Sequence, residues 1–178
     1  VLKNRRQIKK RTSPRSGVVV LELILTMPAF VIIMLAVVQI SLIYVAIEQT
    51  AYASRYAAKI ASETPSASLN ALNTGPLKTR VDNVLITGGL PTGSCRVVLE
   101  HNVGGPATIN DPVVALPNCD CDPPVTGLPV VVGALNTESV RTTVCVLLDG
   151  NVPDFLSSLG FSIQDYSVEH STTYLYEL

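Results

Sequence analysis

The sequence predicts an α+β protein: a long N-terminal transmembrane helix followed by a small antiparallel-sheet extracytoplasmic domain with disulfides. Three observations predict it. Residues 18–47 form a run in which Glu22 and Gln39 are the only strongly polar side chains, and about 20 apolar residues suffice to span a bilayer. Beyond residue 90, alternating segments rich in valine are separated by stretches of Gly, Pro, Asn and Asp, the pattern of strands and turns. All four cysteines, Cys95, Cys119, Cys121 and Cys145, fall in this second part. A chain of 178 residues holds one modest domain and its appendages. The expected division is a basic cytoplasmic leader over residues 1–17, a transmembrane and assembly helix over 18–63, and an extracytoplasmic domain over 64–178.

Charge orients this arrangement. The first 17 residues hold Lys3, Arg5, Arg6, Lys9, Lys10, Arg11 and Arg15 and no acid, while the remaining six basic residues face 14 acidic ones, a net of −8. Basic residues beside an apolar helix keep that end in the cytoplasm, so the rest of the chain is expected outside. No aromatic residue interleaves with the basic arm, which argues against a nucleic-acid surface. The apolar run is about twice the 7 to 15 residues of a secretory signal, and the signal-peptidase mimic Ala51-Tyr52-Ala53 lies too far beyond a short hydrophobic region. The charge at Glu22 therefore demands an explanation. An acidic side chain at the centre of a bilayer costs about 2.5–3.5 kcal/mol on the insertion scale, and it persists where something pairs with it.

The helix is expected to outlast the membrane. Ala46, Thr50, Ala53, Ala57 and Ala61 recur at steps of three or four on one face, with Glu48, Arg55, Lys59 and Glu63 giving a charged side. Small residues at that spacing let helices approach closely; alanine is also simply a strong helix former. Pro28 removes one backbone hydrogen bond and is expected to kink or locally loosen the first turns. Tyr44, Tyr52 and Tyr56 near the outer end suit a membrane interface, and Thr64-Pro65 ends the run.

Residues 64–75 read as a linker. Pro76 then opens a short helix with Leu77, Val81, Val84 and Leu85 on one face, stopped by Gly88-Gly89. Cys95, Val97 and Leu99 alternate with Arg96, Val98 and Glu100 as a half-buried strand. Residues 104–129 read as an irregular loop stapled by Cys119 and Cys121. Strand character returns over residues 130–135 and 140–148, the latter with Val144, Val146 and Leu148 on one face. Residues 154–159 read as a helical turn closed by Gly160. The last strand covers residues 166–178, with Val168, Thr172, Tyr174 and Tyr176 sharing a face. Such a small domain has little core, which gives disulfides a role.

An even number of cysteines in an oxidising compartment reads as two disulfides. Zinc would need four convergent ligands, and Cys119-Asp120-Cys121 lacks the usual spacer between paired thiolates. A bridge between Cys119 and Cys121 would close a very tight loop, so each is expected to pair with Cys95 or Cys145, in an order left open.

These features resemble the TadE-type minor pseudopilins of the tight adherence branch of type IV pilus systems. The resemblance rests on the basic leader, Gly17, Glu22, Pro28, the Ala-rich helix end at Arg55-Tyr56-Ala57-Ala58, the strand from Val140 through Cys145 to Val146, and the tail with Val152-Pro153-Asp154-Phe155-Leu156, Gly160-Phe161-Ser162-Ile163 and Tyr176-Glu177. It spans residues 15–64 and 138–178. Family members usually carry an aromatic residue after the glutamate, where Leu23 stands here. The resemblance implies cleavage by a prepilin peptidase between Gly17 and Val18, residence in the bacterial inner membrane as a single-pass protein with a cytoplasmic N-terminus and a periplasmic or extracellular C-terminal domain, and association with other Tad pilins, pseudopilins and the assembly machinery. Cleavage would create an ammonium at Val18, and Glu22 lies one helical turn away, about 6 Å along the axis. The carboxylate could pair within one chain or with a neighbour, setting the axial register, or could favour the positive helix end and snorkel to the surface.

Catalysis finds no support in the residues. His101 and His170 are the two histidines, each on a strand among apolar neighbours, which suits packing. Asp120 and Asp122 suit a turn better than a calcium site. Residues 88–93 lack the Lys-Ser/Thr ending of a phosphate loop, and no serine sits in a nucleophile elbow. No cofactor, metal, nucleic acid or small-molecule substrate is implied. The reading is a non-catalytic pilus assembly and adhesion protein; the alternative is an unprocessed, membrane-anchored extracytoplasmic binding domain.

Overall fold

A computed structural model describes residues 16–72, 75–110, 127–128 and 138–177. Helix α1, Ser16–Ser62, runs for 47 residues without a break through Pro28, about 70 Å at 1.5 Å per residue. Two short helices follow, α2 at Ser66–Leu72 and α3 at Pro76–Thr87. Four antiparallel strands, β1 Cys95–His101, β2 Thr108–Asn110, β3 Ser139–Leu147 and β4 Ser167–Leu175, form one sheet in the order β2-β1-β3-β4.

The two ends of α1 have different surroundings. From Val18 to Met34 every side chain is exposed, whereas Ala46, Thr50, Ala53, Ala57 and Ala61 are buried to 1 % exposure or less. The small-residue stripe packs onto β4 and β3, so the partner it admits is the chain's own sheet. Side chains no larger than threonine let the helix backbone lie close to the strands, which explains the spacing better than helix propensity alone. Ser54 closes the seam: its Oγ lies 2.8 Å from both His170 Nδ1 and Thr172 Oγ1. Farther along, Tyr176 Oη donates to the Thr64 carbonyl at 2.9 Å, and the Glu177 amide donates to the Ser62 carbonyl at 3.3 Å. These bonds satisfy carbonyls that the end of a helix leaves without an intrahelical donor. Strand β4 thus runs alongside α1, from the level of Ile43 to the helix end.

The register places Cys95, Val97, Leu99 and His101 opposite Val146, Val144, Thr142 and Val140, and these in turn opposite Val168, His170, Thr172 and Tyr174. This face meets α1 and α3. In α3, Leu77, Val81 and Leu85 are buried on the expected face, and the Gly88 and Gly89 amides close it on Leu85 and Ile86 carbonyls. Gly88 touches α1 so closely that an added Cβ would overlap Gln49 Cγ. Gly89, at φ 86°, takes the left-handed conformation that glycine adopts without strain.

Several expectations need correction. The expected linker contains α2, whose Leu69 and Leu72 are buried in the core, because its apolar residues share a helical face. β1 is not half-buried: apart from Arg96, both of its faces are covered. The expected irregular loop holds β2, which pairs with the outer edge of β1. The expected strand over 130–135 lies outside the described residues. The turn over 154–159 is present as a 3-10 turn, Ser157–Leu159, ended by Gly160 at φ 88°.

The two-disulfide expectation also changes. Cys95 is a buried thiol, its Sγ donating to Asp82 Oδ1 at 3.2 Å. It faces α3, whereas Cys145 faces the opposite side of the sheet beside Val98. Among the described residues no disulfide joins two cysteines. Cys119 and Cys121 lie outside the described residues.

Candidate functional site

The exposed N-terminal half of α1 carries the residues singled out in the sequence. Gly17 and Val18 lie in its first turns, and Glu22 follows one turn later on the same helix. Glu22 is exposed, and no ion pair to it is formed among the described residues. Within a single chain that keeps residues 1–17, Val18 has no ammonium, so the charge partner expected for Glu22 is absent for a chemical reason. Pro28 has no N–H, leaving the Ile24 carbonyl without its usual donor four residues on. A shallow apolar concavity lined by Leu23, Ile24, Met27, Pro28, Val31 and Ile32 surrounds that position.

Val18–Ser62 is the stretch of α1 long and apolar enough to cross a membrane, and only 11 % of its most apolar window is buried. A helix forming the core of a water-soluble domain would be mostly covered. Here Val18, Leu21, Ile24, Leu25 and Phe30 are each more than half exposed, so water would face a continuous apolar cylinder. Apolar surface of that extent marks a membrane or a protein interface.

Where the helix meets the domain, a second groove of about 640 Å³ lies between α1 and the segment leading into β4. Ile32, Ala36 and Ile40 line one side; Leu159, Phe161 and Tyr166 line the other. Gln39, missed as a site residue although it interrupts the apolar run, sits here at 4 % exposure. Its Oε1 accepts from the Phe155 amide at 2.9 Å, and its Nε2 has no hydrogen-bond partner among the described residues.

The histidines are structural neighbours. His170 bonds Ser54 across the α1–β4 seam, and His101 Nε2 lies 3.1 Å from Asn70 Oδ1. Burial lowers the His101 pKa from its ordinary 6.5. Ser54 beside His170 joins a hydroxyl to a potential base, but Ser54 is fully buried between α1 and the sheet and lines none of the surface concavities described. On the opposite face Arg141 and Glu100 form a buried bidentate pair, with Arg141 Nη2 donating to Glu100 Oε1 at 2.9 Å. Among the described residues no group of three or more His, Cys, Asp or Glu is placed to hold a metal ion. Asp120 and Asp122 lie outside them.

A membrane-length apolar helix, exposed over its first half and sealed onto a four-strand sheet by its second, defines a helix-bearing α+β protein built to present that helix to other surroundings. Residues 17–59 match the family described as TadE-like protein, so the chain carries a TadE-like domain over those residues. The match begins at Gly17 and ends within α1; the resemblance drawn over residues 138–178 falls outside it. The match is consistent with a Tad pilus component. No curated protein matches the chain. No solved structure matches it either.

Proposed function

We propose that this chain is a non-catalytic minor pseudopilin of a Tad-type pilus. It is anchored in the bacterial inner membrane by the first half of α1, cleaved after Gly17 by a prepilin peptidase, and active in pilus assembly and adhesion through contacts with other pilins and the assembly machinery. The observation that carries the reading is the coincidence of the TadE-like match, starting at Gly17, with the exposed apolar half of α1. The leader is basic and the domain acidic, which orients the chain with its sheet outside the cytoplasm.

On this reading Glu22 acts after cleavage. An ammonium at Val18 and the Glu22 carboxylate attract strongly at low dielectric, but both must be desolvated, so the pair gives register more than net stability. Glu22→Ala should therefore insert, be cleaved and accumulate in the membrane as the parent does, while surface pili decline. Membrane abundance, mature N-terminus and pilus count in one strain separate these effects. Normal piliation would reduce Glu22 to a helix-end charge and remove the assembly role given to it.

A further inference from the structure

We propose that the segment leading into β4, residues 155–166, is a lipid-contacting foot that rests in the outer leaflet beside α1. The proposal depends on the membrane reading above and extends it from the helix to the domain.

The first support is depth. If Val18 lies at the inner edge of the hydrocarbon, about 20 residues at 1.5 Å each carry the helix through a core about 30 Å thick, to the neighbourhood of Val38. The adjoining residue Gln39 is where the domain first bonds the helix, through the Phe155 amide. The groove beside it reaches down to Ile32, seven residues and about 10 Å nearer the cytoplasm. The foot therefore overhangs helix surface that itself faces lipid, and the two apolar surfaces are continuous.

The second support is what the foot exposes. Four of the eight large apolar side chains exposed beyond α1 among the described residues are Phe155, Leu159, Phe161 and Tyr166, and Phe161 is 71 % exposed. They are held outward. Asp154 accepts from the Leu156 amide at 3.3 Å, the Ile163 amide at 3.0 Å and Ser162 Oγ at 3.3 Å, closing the segment into a loop. A tyrosine with a polar tip is favoured at the headgroup level, and phenylalanine and leucine contribute the apolar area buried just below it.

Charge excludes one form of lipid binding. Residues 148–166 contain Asp149, Asp154 and Asp165 and neither Lys nor Arg, so attraction to anionic headgroups is not the cause; burial of apolar surface is.

The chain has no tryptophan, which permits a direct test with the full chain reconstituted in phosphatidylcholine vesicles carrying bromine at shallow or deep acyl positions. Phe161→Trp, at an exposed site that tolerates the larger ring, should emit at shorter wavelength than Ile109→Trp at the distal end of the sheet, and should be quenched mainly by shallow bromines. Phe30→Trp reports the helix and should be quenched by deep ones. Quenching at Phe30→Trp but not at Phe161→Trp overturns the foot and leaves the membrane reading standing. Absence of quenching at both overturns both. A blue-shifted Phe161→Trp that ignores bromine and depends on the protein-to-lipid ratio would seat a second copy of the chain in the groove, which also overturns the proposal.

Discussion

Glu100 and Arg141 sit directly opposite each other on β1 and β3, with side chains 8 % and 6 % exposed. Removing Arg141 takes the bidentate partner from the Glu100 carboxylate in a nearly dry site, which costs about 3–5 kcal/mol. Arg141→Ala is therefore expected to lower the unfolding free energy by about that amount, measured by urea denaturation in detergent. His101 provides a pH signature. Its folded-state pKa is lowered by burial, so at pH values between the folded and unfolded pKa the unfolded chain binds more protons. Stability then falls as pH drops below the unfolded value near 6.5. His101→Gln should flatten the stability profile from pH 6.5 to about 5, above the range where carboxylates titrate. An unchanged profile would show that His101 is not its source.

The element that organises the molecule is α1, and the face that its second half turns to the sheet is marked by small side chains. Large apolar side chains over residues 18–34 leave it exposed, and small ones from Ala46 to Ala61 seal it to the sheet. Ala57, fully buried in the seam, has no room for extra methylenes. Ala57→Leu should destabilise the domain by about 1–3 kcal/mol through overpacking, visible as a lower denaturation midpoint with α1 helicity retained. Much of this was legible in the residues. The long helix, α3 with its glycine stop, and the alternating positions of β1, β3 and β4 all follow from local period and turn chemistry, which a single sequence displays. The occupant facing the small-residue stripe was not legible, because that spacing admits a helix or a sheet equally. Nor was the thiol at Cys95: which way a strand cysteine points depends on register with α3, a contact between segments. Glu22 and Gln39 both stood out as polar residues in an apolar run, yet only the fold shows that Gln39 fastens the domain to the helix.

At the scale of the whole molecule, the sheet is fixed to α1 over its second half, and the first half projects from it as an apolar rod. That geometry suits a subunit that surrenders its helix to a membrane or to neighbouring helices while its sheet faces outward. The rod carries its charge at Glu22, so assembly is expected to begin when cleavage supplies an ammonium at Val18. Cleavage is the central claim, and N-terminal sequencing of membrane-extracted protein tests it most directly, in cells with and without the prepilin peptidase. The predicted result is a chain beginning at Val18 when the peptidase is present, an intact leader when it is absent, and an intact leader in Gly17→Leu in both, because a small residue must precede the scissile bond. Retention of residues 1–17 in cells containing an active peptidase, or a new N-terminus at Ser54 after Ala53, would contradict it.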